Sequence, residues 1–448
     1  MADEFRHHPA LEPLRPAIDF ARRAASRLRR RLARLSPAAF ARTARWLASV
    51  AGAVVRRRRE TRLTVAVDAT ALWEPLTGIG WYVFKLLEEW AGREDVAVRV
   101  YGATLFDGPG SPQPSVEPPQ GPGVEWVVHD LPEDLVLAPH ALGRLTRLAA
   151  PLLLAADGND VLFAPNYFLP RQFVLARAPL VATVHDLSVR RVPWSMREET
   201  RRNLLERLDH VLYEARLVLA DTAAVGSELV ELADVDPGKV RVVHLGPGQT
   251  RSRVEGEDDP SPPDGTPPRY GLFVGTLEPR KNLLGLLAAW RELRRRLPEA
   301  PPLVLVGGFG WRSETYREAV EGAEAEGWLL RFGYISHGEL LALYRGASVV
   351  VLPSFYEGFG LPAVEAMGTA TPLVLSDIPV LREVGGDAAL YAPPDRPDLL
   401  ADRLAEVLAG DGVAAALAQR GRRRAGHFTW ERAAREVAAA LAEAAPRR

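Results

Sequence analysis

The chain has 448 residues, 47% of them hydrophobic, no cysteine and a formal net charge of -1. That length and apolar content fit two or three domains with ample cores. The near-neutral charge gives no reason to expect a nucleic-acid partner, and the missing cysteines exclude a disulfide framework or a thiolate metal site. No run of 18 apolar residues occurs and the first 30 residues lack a signal-peptide core, so the body reads as a soluble cytoplasmic protein.

The balanced charge conceals an asymmetry at the start of the chain. Residues 1–60 hold 15 arginines against five acids, an excess of about +10 that leaves about -11 for the rest. Within this segment Trp46 to Val55 is apolar, with Arg45 on one side and Arg56 to Arg59 on the other. Ten residues are too few to span a bilayer, but a basic helix with an apolar face can lie on an anionic membrane surface, here the inner face. A helix packed on the body and a disordered arm fit the same composition.

From residue 63 short runs rich in Val, Leu and Ala alternate with charged helical stretches. Leu63 to Val67, Val96 to Tyr101, Asp160 to Ala164, Leu180 to Val184, Leu217 to Ala220 and Val240 to Leu245 read as strands, with helices such as Trp81 to Ala91 and Arg197 to Glu214 between them. A second series follows in Gly271 to Gly275, Leu303 to Gly307, Trp328 to Tyr334, Ser348 to Leu352, Leu373 to Ser376 and Ala388 to Ala392. The alternation predicts two α/β domains, each a parallel sheet covered by helices. Residues 252–269, rich in proline, glycine and acid, read as the linker between them, and residues 106–123 as a similar loop. The expected organisation is a basic helical extension (1–60), a first α/β domain (61–251), the linker (252–269), a second α/β domain (270–427) and a final helix (428–448) with Thr429 as its N-cap.

Four places carry candidate chemistry. Gly78 and Gly80 follow the opening strand and suit either a ligand-binding loop or an ordinary turn. His185 and Asp186 close a strand, where open α/β sheets place ligands. Asp186 would orient the imidazole or cap the next turn, and a packed histidine is the plain alternative. Gly275 ends a strand and is followed by Thr276, Arg280 and Lys281. Cations at such a crossing are poorly placed next to a helix start unless they serve an anion such as a diphosphate. The run Ser354-Phe-Tyr-Glu-Gly-Phe-Gly-Leu-Pro-Ala-Val-Glu-Ala-Met-Gly368 sets Glu357 on a glycine-rich turn and Glu365 in the first turn of a helix. Its glycines allow close approach of a ligand, and its carboxylates can accept from sugar hydroxyls. Asp258-Asp259 and Asp157-Gly-Asn-Asp160 lie in polar loop-like sequence, and no metal site stands out.

This last run resembles the signature of the retaining glycosyltransferases of family 4, whose GT-B fold sets two facing Rossmann-like domains around a cleft. The resemblance extends from about residue 63 to 443, and it implies that 61–251 is an N-terminal Rossmann-like acceptor domain, 270–427 a C-terminal Rossmann-like donor domain and 428–448 a helix that returns to the first domain. It implies transfer of a hexose from a nucleotide diphosphate sugar to a glycan or lipid-linked acceptor hydroxyl, metal-independent at the chemical step and with no cofactor beyond the donor. Carried onto this chain, it places His185, Glu357, Lys281 and Arg280 in the catalytic site. Gly78, Gly80, Gly275, Thr276, Phe359, Gly360, Leu361 and Glu365 become donor-binding. Glu357 would hold the transferred sugar, Glu365 the ribose, and residues 331–336 the base. The sequence departs from the pattern at Thr276 and Trp81, where the family often has arginine. That leaves Arg280 as the compensating charge and the role of Trp81 open. The Glu-Pro-Arg-Lys-Asn run of residues 278–282 resembles mannosyl-type members, which points to GDP-mannose. A non-catalytic sugar-nucleotide-binding protein is one rival reading. A glycoside hydrolase is the other, and it needs two carboxylates about 5 to 5.5 Å apart across one bond.

Overall fold

The computed structural model describes residues 62–73, 76, 78–102, 114–116, 119–127, 157–167, 178–248, 260–310 and 314–446. The basic extension, most of the 106–123 loop and the first part of the linker lie outside the described residues. Two parallel sheets form the molecule. The first holds β1 (Leu63–Asp68), β2 (Val96–Tyr101), β3 (Val124–Trp126), β4 (Val161–Ala164), β5 (Leu180–Val184), β6 (Ala215–Ala220) and β7 (Val240–Val242), in the spatial order β3-β2-β1-β4-β5-β6-β7. The second holds β8 (Gly271–Val274), β9 (Leu303–Val306), β10 (Leu329–Phe332), β11 (Val349–Leu352), β12 (Leu373–Ser376) and β13 (Ala389–Ala392), in the order β10-β9-β8-β11-β12-β13. Every pairing is parallel.

Strands such as β4, β5, β9 and β11 are buried at every position, because helices cover both faces of each sheet. This is why they read as unbroken apolar runs rather than alternating ones. β3 is an addition to the expected strands: it has three residues, too few for a periodic signal, and lies at the sheet edge. In both sheets the strand order reverses beside the first strand, between β1 and β4 and between β8 and β11. In a doubly wound sheet, the crevice at the carboxyl ends of those strands is where ligands bind.

The last helix, Trp430–Ala444, is capped by the Thr429 hydroxyl, which accepts from the Arg432 amide at 3.2 Å. It presents Ala433, Ala434, Val437, Leu441 and Ala444 as a buried stripe and packs on the first sheet, after a chain that has just completed the second. Trp90, fully buried in the helix Gly78–Ala91, donates from Nε1 to the Ala434 carbonyl at 3.0 Å and fixes that return. No helix among the described residues is long and apolar enough to cross a membrane.

Candidate active site

The site is assembled from segments that follow β8 and β11 in one sheet and β4, β5 and β6 in the other. After β8 the chain passes Gly275 and makes a single 3-10 turn, Pro279–Lys281, before the helix Leu283–Arg296. Asn282 joins the two elements in a left-handed conformation (φ 57°), and its amide donates to the carbonyls of Pro353 (3.0 Å) and Pro394 (2.6 Å). The post-β8 turn is thereby pinned to the loop after β11. Lys281 lies just before the N-cap Asn282, where the helix offers its charge no compensation.

Instead the Lys281 ammonium donates to both oxygens of Glu357, at 2.7 and 2.8 Å. Ser354 Oγ donates to the same carboxylate at 2.6 Å, and Arg280 reaches it at 3.3 Å. Arg280 is also held by Glu278, Nε to Oε1 at 2.5 Å. Glu278 is only 2% exposed, and nothing in its local sequence marks it as part of a site. Burial works against the charge on Glu357, but Lys281, Arg280 and Ser354 outweigh it and hold the carboxyl below its ordinary range. The four side chains of Glu278, Arg280, Lys281 and Glu357 form a compact quartet of two cations and two anions. An arriving anion can recruit the cations by sharing them.

Glu365 lies in the second turn of the helix Leu361–Gly368, not the first as expected, because the helix begins at Leu361 and Pro362 is its second residue. It is 4% exposed, accepts from the Tyr344 hydroxyl at 2.6 Å, and lies against Gly248, where an added Cβ would come within 2.7 Å of its Oε1. Gly360 precedes the helix at φ 89°, a conformation that favours glycine. The Phe359 ring is buried against Phe428 and His244, so only its backbone is available to a donor. Leu361 is partly buried. Thr276 is exposed, and Gly275 lies beside the Lys281 side chain.

From the first sheet, Gly78 and Gly80 belong to the first turn of the helix Gly78–Ala91, which corrects their reading as a loop. The apolar spacing of Tyr82, Val83, Leu86, Leu87 and Trp90 carries the helix back through them. Trp81 meets the ring of His337 edge-on, centroids 5.2 Å apart, across the interface between the two halves. His185, at the end of β5, has one nitrogen 2.8 Å from Asp221 Oδ2 and the other 2.9 Å from the Pro165 carbonyl. Asp186, the sequence neighbour, accepts from the Ser188 amide and caps the next turn instead. Asp221 follows β6, the strand beside β5, and is a site residue that the expectations above do not include.

Both ring nitrogens of His185 face oxygens, and with Asp221 ionised the doubly protonated imidazolium satisfies both, although burial raises the Asp221 carboxyl above its ordinary range. Burial opposes the imidazolium charge as well, but Asp221, Pro165 and Asp186 together raise the His185 pKa above its ordinary value. A group raised in the folded state stabilises the fold fully below its unfolded pKa, about 6.5, and loses that contribution as pH rises through the folded value. The melting temperature of the wild type should therefore fall relative to that of His185→Gln as pH is raised through this window. Parallel curves for the two proteins would show that the ring is not held as a cation.

The two halves meet directly at these loops. A Cβ on Gly358 would lie 2.0 Å from the His185 carbonyl, and Thr222 Oγ1 donates to the Gly358 carbonyl at 3.2 Å. The Tyr356 hydroxyl accepts from the Leu187 amide (2.8 Å) and donates to Glu228 (2.7 Å). Glu383 accepts from the amides of Ala223 (2.7 Å) and Ala224 (3.0 Å), which begin the helix Ala223–Ala233. A cavity of about 710 Å³, lined by Lys85, Arg345, Thr369, Arg422, Phe428 and Trp430 among others, lies where the chain returns to the first half and takes none of its lining from the quartet. Among the described residues no cluster of three or more His, Asp or Glu side chains is arranged to hold a metal ion. Asp157 and Asp160 serve the fold, accepting from the Tyr101 hydroxyl (2.7 Å) and the Thr64 amide (2.9 Å).

Comparison with known proteins agrees with this architecture. Residues 76–246 match the family described as Glycosyltransferase Family 4, and residues 256–424 match Glycosyl transferases group 1. The chain is 31% identical to the O-antigen chain mannosyltransferase B of Escherichia coli over 386 residues, 80% of this chain and 93% of that protein. It is 30% identical to a D-inositol 3-phosphate glycosyltransferase of Salinispora arenicola over 403 residues, 82% of this chain and 88% of that one. The fold is similar to that of a sucrose-phosphate synthase from Thermosynechococcus elongatus, with a TM-score of 0.62 and 21% identity over 85% of this chain and 99% of the other. With two doubly wound sheets facing each other and kinship along most of its length, the chain belongs to glycosyltransferase family 4 and is a glycosyltransferase of the GT-B fold.

Proposed function

We propose that the protein moves a hexose, with mannose from GDP-mannose as the first donor to test, from a nucleotide diphosphate sugar to a glycan or lipid-linked acceptor hydroxyl in cell-envelope or polysaccharide biosynthesis. The observation that carries this reading is the pair of cations, Lys281 and Arg280, at the switch point of the second sheet beside the His185 loop of the first. In this reading the bond from C1 to the β-phosphate breaks with its electron pair left on phosphate. The acceptor oxygen bonds C1 from the same face, and its proton passes to the departing phosphate oxygen, so configuration is retained. Lys281, Arg280 and the N-terminal amides of the helix Leu361–Gly368 stabilise the growing negative charge. No covalent sugar–enzyme intermediate is invoked, because Glu357, engaged by Lys281, Arg280 and Ser354, is a poor nucleophile. Arg280 takes the place of the arginine absent at Thr276. The mannosyl preference rests on the 278–282 run and on the mannosyltransferase activity of the E. coli relative. Attachment to an anionic membrane face through residues 1–60 rests on that segment's charge.

A thermal-shift screen against UDP-, GDP- and ADP-sugars tests the reading. The matching donor should stabilise the fold by about 2.7 kcal/mol at a hundred times its dissociation constant, and the same donor should be hydrolysed slowly without acceptor. A flat response to all three nucleotide classes, with no hydrolysis of any, rejects it. Product anomeric configuration, read by NMR, tests retention separately.

A further inference from the structure

The segment from His185 to Ser195 runs along the loop that carries Glu357 and touches it at three successive points. The His185 carbonyl meets Gly358, the Leu187 amide meets the Tyr356 hydroxyl, and the ring of Trp194 meets the ring of Phe355 edge-on, centroids 5.5 Å apart at 82°. Phe355 is itself fixed beside the cation pair, since its amide donates to the Arg280 carbonyl at 2.8 Å. Trp194 is nonetheless 51% exposed, although a large apolar side chain gains by leaving water. A half-exposed indole held against the catalytic loop by the half of the molecule opposite the cations is placed to meet whatever approaches the donor.

The chemistry around it selects the visitor. Glu228 accepts from Tyr356, the residue after Phe355, and pairs at 3.5 Å with the exposed Arg191, three residues before Trp194, so a guanidinium lies on the segment that carries Trp194 and a carboxylate is bonded to the one that carries Phe355. An aromatic face carries negative charge that attracts the weakly positive C–H face of a pyranose ring. Charged groups nearby suit its hydroxyls, whereas an acyl chain would strip water from them and offer no hydrogen bond in return.

Building on the transferase reading above, we propose that Trp194, with Phe355 edge-on to it, is the platform on which the ring of a hexopyranoside acceptor stacks, with Arg191 and Glu228 contacting its hydroxyls. The acceptor is then a glycan presented as a pyranose, and Trp194 sets the affinity for it without taking part in donor binding.

The full chain and the variants Trp194→Ala and Trp194→Phe test this with the donor found by the thermal screen and with methyl α-glucoside, α-mannoside and α-galactoside as acceptor probes. Acceptor KM should rise about tenfold in Trp194→Ala and less in Trp194→Phe, which keeps an aromatic face. Donor KM and acceptor-free donor hydrolysis should stay within about twofold, which also confirms that the variants fold. An unchanged acceptor KM overturns the platform. Donor and acceptor constants that worsen together overturn it as well, because they would make Trp194 a closure contact. Donor hydrolysis by the wild type with none of the three glycosides accepted overturns the assignment of a pyranose acceptor. Absence of both hydrolysis and transfer by the wild type removes the transferase reading itself, and the platform with it.

Discussion

Lys281→Ala should lower turnover at saturating donor by about two orders of magnitude or more, because in the proposed reaction it removes a cation that stabilises the departing diphosphate. The quartet adds a complication to the measurement. Lys281 is 11% exposed and Glu357 5%, and breaking such a buried pair can cost about 3–5 kcal/mol when the remaining charge is stranded. Arg280 and Ser354 still reach Glu357, so the loss should fall at or below the lower end of that range. The double variant Lys281→Met, Glu357→Gln separates the two effects. It replaces an ion pair with neutral side chains of similar size, so its melting temperature should recover relative to Lys281→Ala while turnover stays low. Turnover by Lys281→Ala equal to that of the wild type at saturating donor would reject the assignment of Lys281 to the departing phosphate.

Much of this architecture is legible in the amino-acid sequence itself. The strands stand out because burial on both faces makes them continuous apolar runs, and the Gly275 to Lys281 and Ser354 to Gly368 segments stand out because glycines and charges occur together just beyond such runs. What the sequence conceals depends on which strand lies beside which. Asp186 is adjacent to His185 in sequence and looks like its partner, but the imidazole is held by Asp221, 36 residues away, because β5 and β6 are neighbours in the sheet. A hint exists in Ala220-Asp221-Thr222, another strand that ends on an acid before a helix cap, but nothing local joins it to His185. Glu278 is hidden for a different reason. It reads as one more charge beside Pro279, and only the backbone turn that brings Arg280 back on it shows that it is buried. The glycines at 78 and 80 show the opposite error: local composition indicates a loop, and the apolar face of the helix that follows overrides it.

The glycine at 358 should prove as demanding as Lys281, through its packing against the His185 loop. Its added Cβ would lie 2.0 Å from the His185 carbonyl oxygen and 2.9 Å from the Asp186 Cβ. The obstacle at the first contact is backbone at the end of a buried strand, which no rotamer change can move. Gly358→Ala therefore has to be accommodated by pushing the Glu357 loop away from β5, and that weakens the Thr222 and Tyr356 contacts on either side. Each sheet keeps its own buried strands and helices, so the two halves should stay folded and nucleotide should still raise the melting temperature. The geometry between them is what changes. A misplacement of about 1 Å between the groups that hold a donor and those that receive it can cost about a hundredfold in rate. The expected signature is turnover reduced by that order with nucleotide stabilisation close to that of the wild type. Full turnover in Gly358→Ala would mean that the contact between the His185 loop and the Glu357 loop is not needed for transfer. Loss of nucleotide binding in the same variant would place the damage within the second half rather than between the two.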